Sequence, residues 1–284
     1  MGKKKVAIAT DSVANIPVGL IEEYDIKVIP QCLNWVGKTY LDGIDITTEE
    51  FYQRLASAKE LPTTSQPSAG EFREFFLEVA EGCDSIVCIV VSDHLSGTLD
   101  SANAAVKMIP DFPIEVVDSR SASMGQGFIV LAAANAAGAG KSYAEVAELA
   151  RGLVPGVRAV FVVDTLEFLH RGGRIGGARR LLGSVLSIKP LLHLVNGQIE
   201  PLANVRTKRK ALERALEIIE EDTAGKGPLH AAVLHASTPD EAEKFYVAVE
   251  GRLQPVELLL TELTPVVGTH TGPGLVGLAY YNES

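Results

Sequence analysis

Short β-rich runs alternate with helix-length amphipathic segments through the first half of the chain, and this alternation restricts the fold more than any other sequence feature. It predicts a parallel sheet covered by helices. The predicted strands are residues 5–10, 26–30, 85–92 and 113–119, and the predicted helices are residues 70–82, 99–109 and 124–137. Polar turns follow three strands, at residues 10–12, 92–98 and 118–123. Because open α/β sheets bind ligands at the carboxyl ends of their strands, we expect these turns to converge on a ligand site.

A second unit begins near the interruption GLVPG, residues 152–156. Its predicted strands are residues 158–165, 229–235 and 256–263, its predicted helices are residues 206–221 and 239–251, and LVGLAYY is a closing strand. We therefore predict two α/β domains with the ligand between them. The N-terminal domain, residues 1–154, has three layers and a mainly parallel sheet. The smaller C-terminal domain, residues 155–284, has a mixed sheet.

The composition and the charge exclude several classes of protein. Hydrophobic residues make up 46% of the 284 residues and charged residues 22%, with a mean hydropathy of +0.16, which is typical of a globular protein. The net charge of −10 argues against broad nucleic-acid binding, because binding to phosphate backbones depends on Lys and Arg.

The hydropathy pattern also bears on location. No apolar run approaches the roughly 20 residues that span a bilayer. The apolar run after the N-terminal lysines is broken by Thr10 and Asp11, so it is too short for a signal peptide. We expect a cytoplasmic protein without stable membrane insertion, for which transient membrane contact stays open.

Motif spacing indicates neither a metal nor a nucleotide site. Cys32, Cys83 and Cys88 form no CxxC pair and are expected to be reduced core thiols, and the histidines lack the spacing of metal ligands. GPGLVG at 272–277 fits G-x-G-x-x-G by letter, but a strand follows it where a helix is required. GAGKS at 138–142 lacks the first glycine of a P-loop.

The polar groups that remain suit an anion better than a reaction. Hydroxyl groups lie at strand ends, Arg171 and Arg174 lie in a glycine-rich turn, and His270 lies in THTGPGLVG, residues 269–277. Hydroxyls and amides at helix N-termini donate to oxygens, and Arg neutralises a carboxylate. We interpret THTGPGLVG as a turn that passes close to a ligand. His270 would clamp a carboxylate there and, if protonated, attract it.

Seven segments resemble, in order and over essentially the whole chain, the motif series of the bacterial DegV family. They are TDS (10–12), TTSQPSAGEF (63–72), SDHLSGTLDSA (92–102), DSRSASMGQG (118–127), TLEFLHRGGRI (165–175), KPLLHLVNGQIEPLANVRTKRKA (189–211) and THTGPGLVG (269–277). TSQPS, LSGT, GGRI and HTGPG are specific in combination. The resemblance implies a two-domain α/β protein that buries one long-chain fatty acid. It further implies a non-enzymatic partner of a separate fatty acid kinase, with no cofactor besides the fatty acid.

The resemblance also implies site residues. The fatty acid carboxylate is expected at Thr64, Ser96, Arg174 and His270. Secondary candidates are Ser92, Gly97, Thr98, Ser121 and Gly125. This chain has Asp93 where relatives often read SSxLSGT. We expect Asp93 to face solvent or to cap the next helix, because its charge would oppose a bound carboxylate.

Burial of the acyl tail supplies the affinity in this hypothesis. About 15 methylenes at roughly 0.8 kcal/mol each give about 12 kcal/mol before the costs of binding. Some side chains that flank the motifs either line a tunnel or belong to an ordinary core. They are Val90, Leu95, Phe128, Ile129, Phe161, Phe168 and Leu275.

A basic cluster on this acidic protein is either a solvated helix face or a docking surface for an acidic kinase. The cluster consists of Lys208, Arg209, Lys210 and Arg214. Arg206 is the favoured docking residue, and Asp42 is a weaker candidate.

Two other functions stay open. One is an acyl-ester hydrolase that uses Ser96 and His270, although HLSGT lacks the first glycine of a nucleophile elbow. The other is a lipid-responsive regulatory module without delivery to a kinase.

Overall fold

The computed structural model of the protein describes residues 5–183 and 189–283. Its strands are β1 Ala7–Asp11, β2 Lys27–Ile29, β3 Cys32–Trp35, β4 Lys38–Leu41, β5 Thr63–Ser65, β6 Ile86–Val90, β7 Ile114–Asp118, β8 Arg158–Val162, β9 Lys189–Val195, β10 Gln198–Val205, β11 Leu229–His235, β12 Glu257–Glu262 and β13 Val276–Asn282. Its helices are α1 Val18–Tyr24, α2 Thr48–Leu55, α3 Ala69–Ala80, α4 Thr98–Val106, α5 Met124–Gly138, α6 Tyr143–Leu153, α7 Glu167–Arg171, α8 Lys208–Thr223, α9 Pro239–Leu253 and α10 Pro265–Thr271. Short 3-10 helices cover Ser12–Ala14 and Gly176–Leu181.

Strand β6 explains the three layers of the first half. Its five residues are all buried, and they alternate between two hydrophobic clusters. Val87 and Ile89 lie in the cluster that contains α5 and α6, whereas Ile86, Cys88 and Val90 lie in the cluster that contains α3 and α4. A strand that is apolar on both faces is typical of a parallel sheet with helices on both sides. The predicted parallel sheet is confirmed, in the order β2-β1-β6-β7.

The second half contains the predicted mixed sheet. Its six strands have the order β10-β9-β8-β13-β11-β12, with β11 and β12 parallel and the other pairs antiparallel. Helices α8 and α9 cover one face. The opposite face, which includes Phe161 and Leu234, belongs to the same hydrophobic cluster as Ile8 and Phe128 of the first half. Because this core joins both halves, the domain boundary near residue 155 stays a prediction.

A third sheet, of short antiparallel strands in the order β4-β3-β5, is not predicted from the sequence. Each of its strands has only three or four residues, and β5 reads Thr-Thr-Ser. Such runs carry no alternation of apolar and polar residues that would mark them as strands. The pairing of Thr64 with Leu33 nevertheless positions one of the predicted site residues.

The structure differs from the prediction at His270. The sequence predicts a turn over 269–277, but α10 continues through Thr271 and strand β13 begins at Val276. Pro265 opens the helix, where its missing N–H is not needed. Gly272 ends it with φ 70°, in the region that favours glycine. His270 therefore lies in the last turn of a short helix.

The three cysteines, Cys32, Cys83 and Cys88, are buried free thiols, as predicted. Burial raises the pKa of the Cys88 thiol above its usual range, which keeps that sulfur protonated and unreactive. Within the described ranges, no helix is both long enough and apolar enough to cross a membrane.

Side chains of the first half hold the segment that leads into α10. The Asn15 amide donates to the Glu262 carbonyl over 2.8 Å and accepts from the Thr264 amide over 2.9 Å. The Tyr52 hydroxyl donates to the Leu263 carbonyl over 3.2 Å. These bonds fix three consecutive backbone positions of the second half against the first.

Asp42 completes this attachment. Its carboxylate accepts from the Val266 amide over 3.2 Å and from the Ser12 hydroxyl over 2.7 Å. A carboxylate at this position satisfies an amide that has no partner within its own helix. Asp42 is only 3% exposed, so a docked protein does not reach it. The prediction that Asp42 contributes to a docking surface is wrong, because the residue is an internal contact between the halves.

The pH dependence of stability tests this buried carboxylate. Burial raises the pKa of Asp42 from 3.8 to about 6. The folded protein therefore binds more protons than the unfolded chain in this window, and the stability contributed by Asp42 falls as pH rises from about 4 to about 6. We expect the unfolding free energy of the wild type, minus that of Asp42→Asn, to decrease by about 2–3 kcal/mol over this range.

Urea denaturation at several pH values measures this difference. Asp45→Asn removes an exposed carboxylate three residues away and is the matched control for the loss of one charge. A constant difference between wild type and Asp42→Asn from pH 4 to pH 6 would contradict the raised pKa.

Candidate functional site

A cavity lies between the two halves, beside the carboxyl ends of the parallel strands. Its empty volume, which includes the open space at its mouth, is about 900 Å³. Its apolar lining consists of Val13, Val91, Leu95, Ala122, Ala159, Phe161, Leu169, Leu194, Ile199, Leu234, Leu263, Val266, Val267 and Leu275. The turns after β1, β6 and β7 all contribute to this wall, as their predicted convergence requires.

Polar side chains interrupt the apolar wall. They are Gln31, Thr64, Ser65, Gln66, Ser96, Ser123, Arg174, His270 and Thr271. The four residues predicted to bind a carboxylate, Thr64, Ser96, Arg174 and His270, are all among them. Arg174 is the one lining side chain of the described chain that carries a permanent charge.

Thr64, Arg174 and His270 also line a second space, the outer crevice, with an empty volume of about 680 Å³. The remaining residues of the outer crevice are Leu61, Pro62, Thr63, Phe168, Arg171, Gly172 and Thr269. The three shared side chains therefore stand between the apolar cavity and the outer crevice.

Backbone acceptors orient the guanidinium of Arg174. Its Nε donates to the Leu95 carbonyl over 2.9 Å, and its Nη1 donates to the Gly172 carbonyl over 2.7 Å. Partial burial lowers the pKa of Arg174, but a guanidinium stays charged in proteins. Within residues 5–183 and 189–283, no carboxylate forms an ion pair with Arg174. Its positive charge is available to an anion in the cavity.

His270 is held between two neighbours. Its Nε2 lies 2.7 Å from the Thr64 hydroxyl oxygen, and its buried Nδ1 has no hydrogen-bond partner among the described atoms. A Cβ at Gly172 would lie 2.2 Å from Nδ1, so only glycine leaves room for the ring. Burial, followed by the charge of Arg174, lowers the pKa of His270 to about 4. This lowered pKa favours the neutral imidazole at pH 7, so the charge attraction expected of a protonated His270 would require a pKa raised by a bound anion.

Ser96 belongs to a chain of hydroxyl groups at the start of α4. Its Oγ lies 2.8 Å from the Thr98 Oγ1, and that oxygen accepts from the Gln31 Nε2 over 2.9 Å. Thr98 is fully buried. Ser96 shares no hydrogen bond with His270, since the imidazole bonds to Thr64, so the two do not form a nucleophile–base pair.

The secondary candidates support the site without lining it. Ser92 is buried and donates to the Gly197 carbonyl over 3.0 Å, which joins its loop to the hairpin of the second half. A Cβ at Gly125 would lie 2.1 Å from the Ser121 Oγ, so these two residues fit against each other. The structure places none of Ser92, Gly97, Thr98, Ser121 and Gly125 in the cavity wall.

The side chains predicted to line a tunnel or a core lie in different places. Leu95, Phe161 and Leu275 line the cavity, and Phe168 lines the outer crevice. The other tunnel candidates, Val90, Phe128 and Ile129, pack in the helix-covered cores. Asp93 is exposed and lies 3.8 Å from His94, so it faces solvent as expected.

Two basic residues outside the cavity have different surroundings. The exposed Arg171 pairs with Glu167 over 2.6 Å. Arg206 is exposed in the turn between β10 and α8. No group of three or more His, Cys, Asp or Glu that could hold a metal ion occurs in the part of the chain that the structure describes.

Sequence reasoning missed several lining residues, of which Ser123 is the most unusual. It is 4% exposed, and its Oγ has no hydrogen-bond partner among the described residues. Its backbone has φ 52° and ψ −144°, a combination that costs a non-glycine residue about 1–3 kcal/mol. Neither the strain nor the missing partner could be read from the motif DSRSAS.

Comparison with known proteins gives a consistent result. A family model described as "Uncharacterised protein, DegV family" matches residues 5–283. A DegV domain-containing protein of Streptomyces coelicolor is 41% identical over 277 residues, which cover 97% of this chain and 98% of that protein.

Two solved structures are similar over the whole fold. The structure of a DegV family protein from Thermus thermophilus, described by its fatty acid binding, has a TM-score of 0.94 and 34% identity and covers 98% of this chain and 100% of its own. The structure of DegV from Bacillus subtilis, described as a fatty acid binding protein, has a TM-score of 0.90 and 35% identity and covers 99% and 100%.

The protonation state of His270 is open to direct measurement. In protein freed of lipid, we expect the imidazole carbon-bound protons to titrate with a midpoint near pH 4, because burial disfavours the cation. NMR spectra from pH 3.5 to pH 8, with His270→Gln to assign the signal, measure the midpoint. A midpoint above about 6 would contradict the lowered pKa of His270.

Proposed function

This chain belongs to the DegV family, and we propose from that premise that it binds one long-chain fatty acid in the cavity between its halves. The observation that carries the proposal is the composition of the cavity wall. Apolar side chains dominate it, and the one permanently charged lining residue within the described ranges, Arg174, has no carboxylate partner. A ligand with a long apolar tail and one negative charge complements this wall.

The carboxylate would lie at Thr64, Ser96 and Arg174. We assign the proton of the neutral His270 to Nε2, from which it donates to the Thr64 oxygen 2.7 Å away. The hydroxyl hydrogen of Thr64 is then free to donate to a carboxylate oxygen. His270 thus acts by orienting Thr64, and in this state it adds no charge.

The hydroxyl group of Ser96 is oriented in the same manner. Gln31 donates to Thr98, and the Thr98 hydroxyl can donate in turn to Ser96. The hydrogen of Ser96 is left for the ligand, and each bond in such a chain polarises the next. Both hydroxyls would donate to an ionised carboxylate, and such hydrogen bonds are roughly twice as strong as neutral ones. The positive charge of Arg174 adds electrostatic attraction.

The bound fatty acid would be presented to a partner enzyme. A carboxylate bound between the apolar cavity and the outer crevice keeps its tail buried and its oxygens accessible from the crevice. We infer that a separate fatty acid kinase in the cytoplasm phosphorylates the carboxylate there. The protein itself binds the fatty acid and presents its carboxylate.

The alternative of an acyl-ester hydrolase is weakened because Ser96 bonds to Thr98, whereas His270 bonds to Thr64.

Arg206 is the candidate for kinase docking. It is exposed, whereas two members of the neighbouring basic cluster are already paired. Lys208 forms an ion pair with Glu241, and Arg214 lies 2.7 Å from Glu217. A lipid-responsive regulatory module would bind the same ligand but would not interact with a kinase.

Lipid binding is tested by purifying the protein gently and extracting its ligand for mass spectrometry. We expect close to one long-chain fatty acid per chain. Gly172→Ala should weaken fatty acid binding by about 10-fold or more, because its Cβ would displace His270 and so disorient the Thr64 donor.

Gly152→Ala is the matched control, since a Cβ there meets nothing within 4 Å. Protein that is consistently free of lipid and does not bind added fatty acid would overturn the proposal. Equal binding by both glycine variants would remove His270 from the site.

Kinase docking is tested by acyl phosphate formation with a purified fatty acid kinase. Arg206→Glu should lower the rate by about 10-fold or more without changing fatty acid affinity, because it reverses a charge that faces the partner. Lys107→Glu makes the same charge change on an exposed residue of the first half. Equal losses in both variants would show an effect of net charge and not of docking.

A further inference from the structure

Ser123 has a combination of properties that carboxylate binding does not explain. It lines the cavity, its Oγ is buried without a partner among the described residues, and its backbone has φ 52°. Of the described buried side-chain atoms that lack a partner, those of cavity-lining residues are the Ser123 Oγ and the His270 Nδ1. The His270 ring packs closely against Gly172, which explains why Nδ1 has no partner on that side. The hydroxyl of Ser123 has no such explanation.

The surroundings hold Ser123 in its strained conformation. Its amide donates to the Val13 carbonyl over 2.9 Å, and its carbonyl accepts from the Gly127 amide over 2.9 Å. The same turn is attached to β6 through the Ser92 amide, which donates to the Ser121 carbonyl over 3.0 Å. Strain that neighbouring contacts maintain in this way is typical of functional positions.

Ser123 is also distinct from the predicted carboxylate residues. It shares no hydrogen bond with Thr64, Ser96, Arg174 or His270, and it lies on the wall formed by the turns after β1 and β7, beside Val13 and Ala122. The neighbouring side chains Val13 and Ala122 are apolar and offer the Ser123 hydroxyl no hydrogen-bond partner. An oxygen atom that the ligand itself carries would supply one.

We propose that Ser123 donates a hydrogen bond to an oxygen on the acyl chain, so that the cavity favours a hydroxy or oxo fatty acid over the plain acid of the same length. This inference rests on the proposed fatty acid binding and adds a second polar contact along the chain. It makes Ser123 a residue that determines specificity.

The test is competitive displacement of a fluorescent fatty acid from the lipid-free full chain. The ligands are stearic acid and a series of stearic acids with one hydroxyl group at different chain positions. For the wild type we expect at least one isomer to bind about 3- to 10-fold more tightly than stearic acid, the range of one neutral hydrogen bond.

Two substitutions separate the hydroxyl from the backbone strain. Ser123→Ala and Ser123→Gly both remove the donor, so both should abolish the preference for that isomer over stearic acid. Ser123→Gly should also be more stable than Ser123→Ala, because glycine adopts φ 52° without strain. Ser65→Ala removes a lining hydroxyl that already accepts from Asn34 over 3.2 Å, and it should keep the preference.

Three results would overturn the inference. They are a wild type that prefers no isomer over stearic acid, variants of Ser123 that keep the preference, and variants that weaken all ligands equally, which would place Ser123 at the carboxylate. Failure of stearic acid to bind at all would instead count against the proposed function.

Discussion

The attachment of residues 262–266 to the first half is the constraint on which the ligand site depends. Asn15, Asp42 and Tyr52 bind this segment through backbone atoms, so its position does not depend on which side chains the segment carries. Helix α10, which begins within this segment, is only seven residues long. A helix of that length has little stability of its own. Its docking to the first half is therefore what places His270 opposite Thr64.

The site is built at a cost in stability. Arg174 is partly buried without an anion among the described residues, the His270 Nδ1 and the Ser123 Oγ lack partners there, and Ser123 is strained. An unmade hydrogen bond of a buried group costs about 1–3 kcal/mol, which is a large fraction of the stability of a typical domain. The core shared by the two halves and the further core within each half offset these losses. These particular departures share one cavity wall, where a bound ligand would offset part of the cost.

The sequence predicts the parts of the fold that depend on local patterns. The alternation along β6 and the amphipathic helices around it leave a periodic signal, so the parallel sheet and its polar rim can be derived from the residues. The small sheet of β3, β4 and β5 leaves no such periodic signal, because its strands are short and partly polar.

The sequence predicts His270 in a turn because glycines follow it. Pro265, four residues before Thr269, instead marks the start of a helix that includes His270. The four carboxylate candidates come from segments up to 206 residues apart, and only the family resemblance joins them before the structure does. The burial of Asp42 depends on a distant helix N-terminus and has no local signal.

The shared wall of the cavity has a thermodynamic consequence. Because Leu95 and Ser123 come from one half and Phe161 and Leu275 from the other, a molecule that fills the cavity holds the halves together as a core side chain would. By linkage, a ligand present at 100 times its dissociation constant adds about 2.7 kcal/mol to the stability of the folded chain. The melting temperature should therefore report whether the cavity is filled, and preparations that differ only in occupancy should differ in stability.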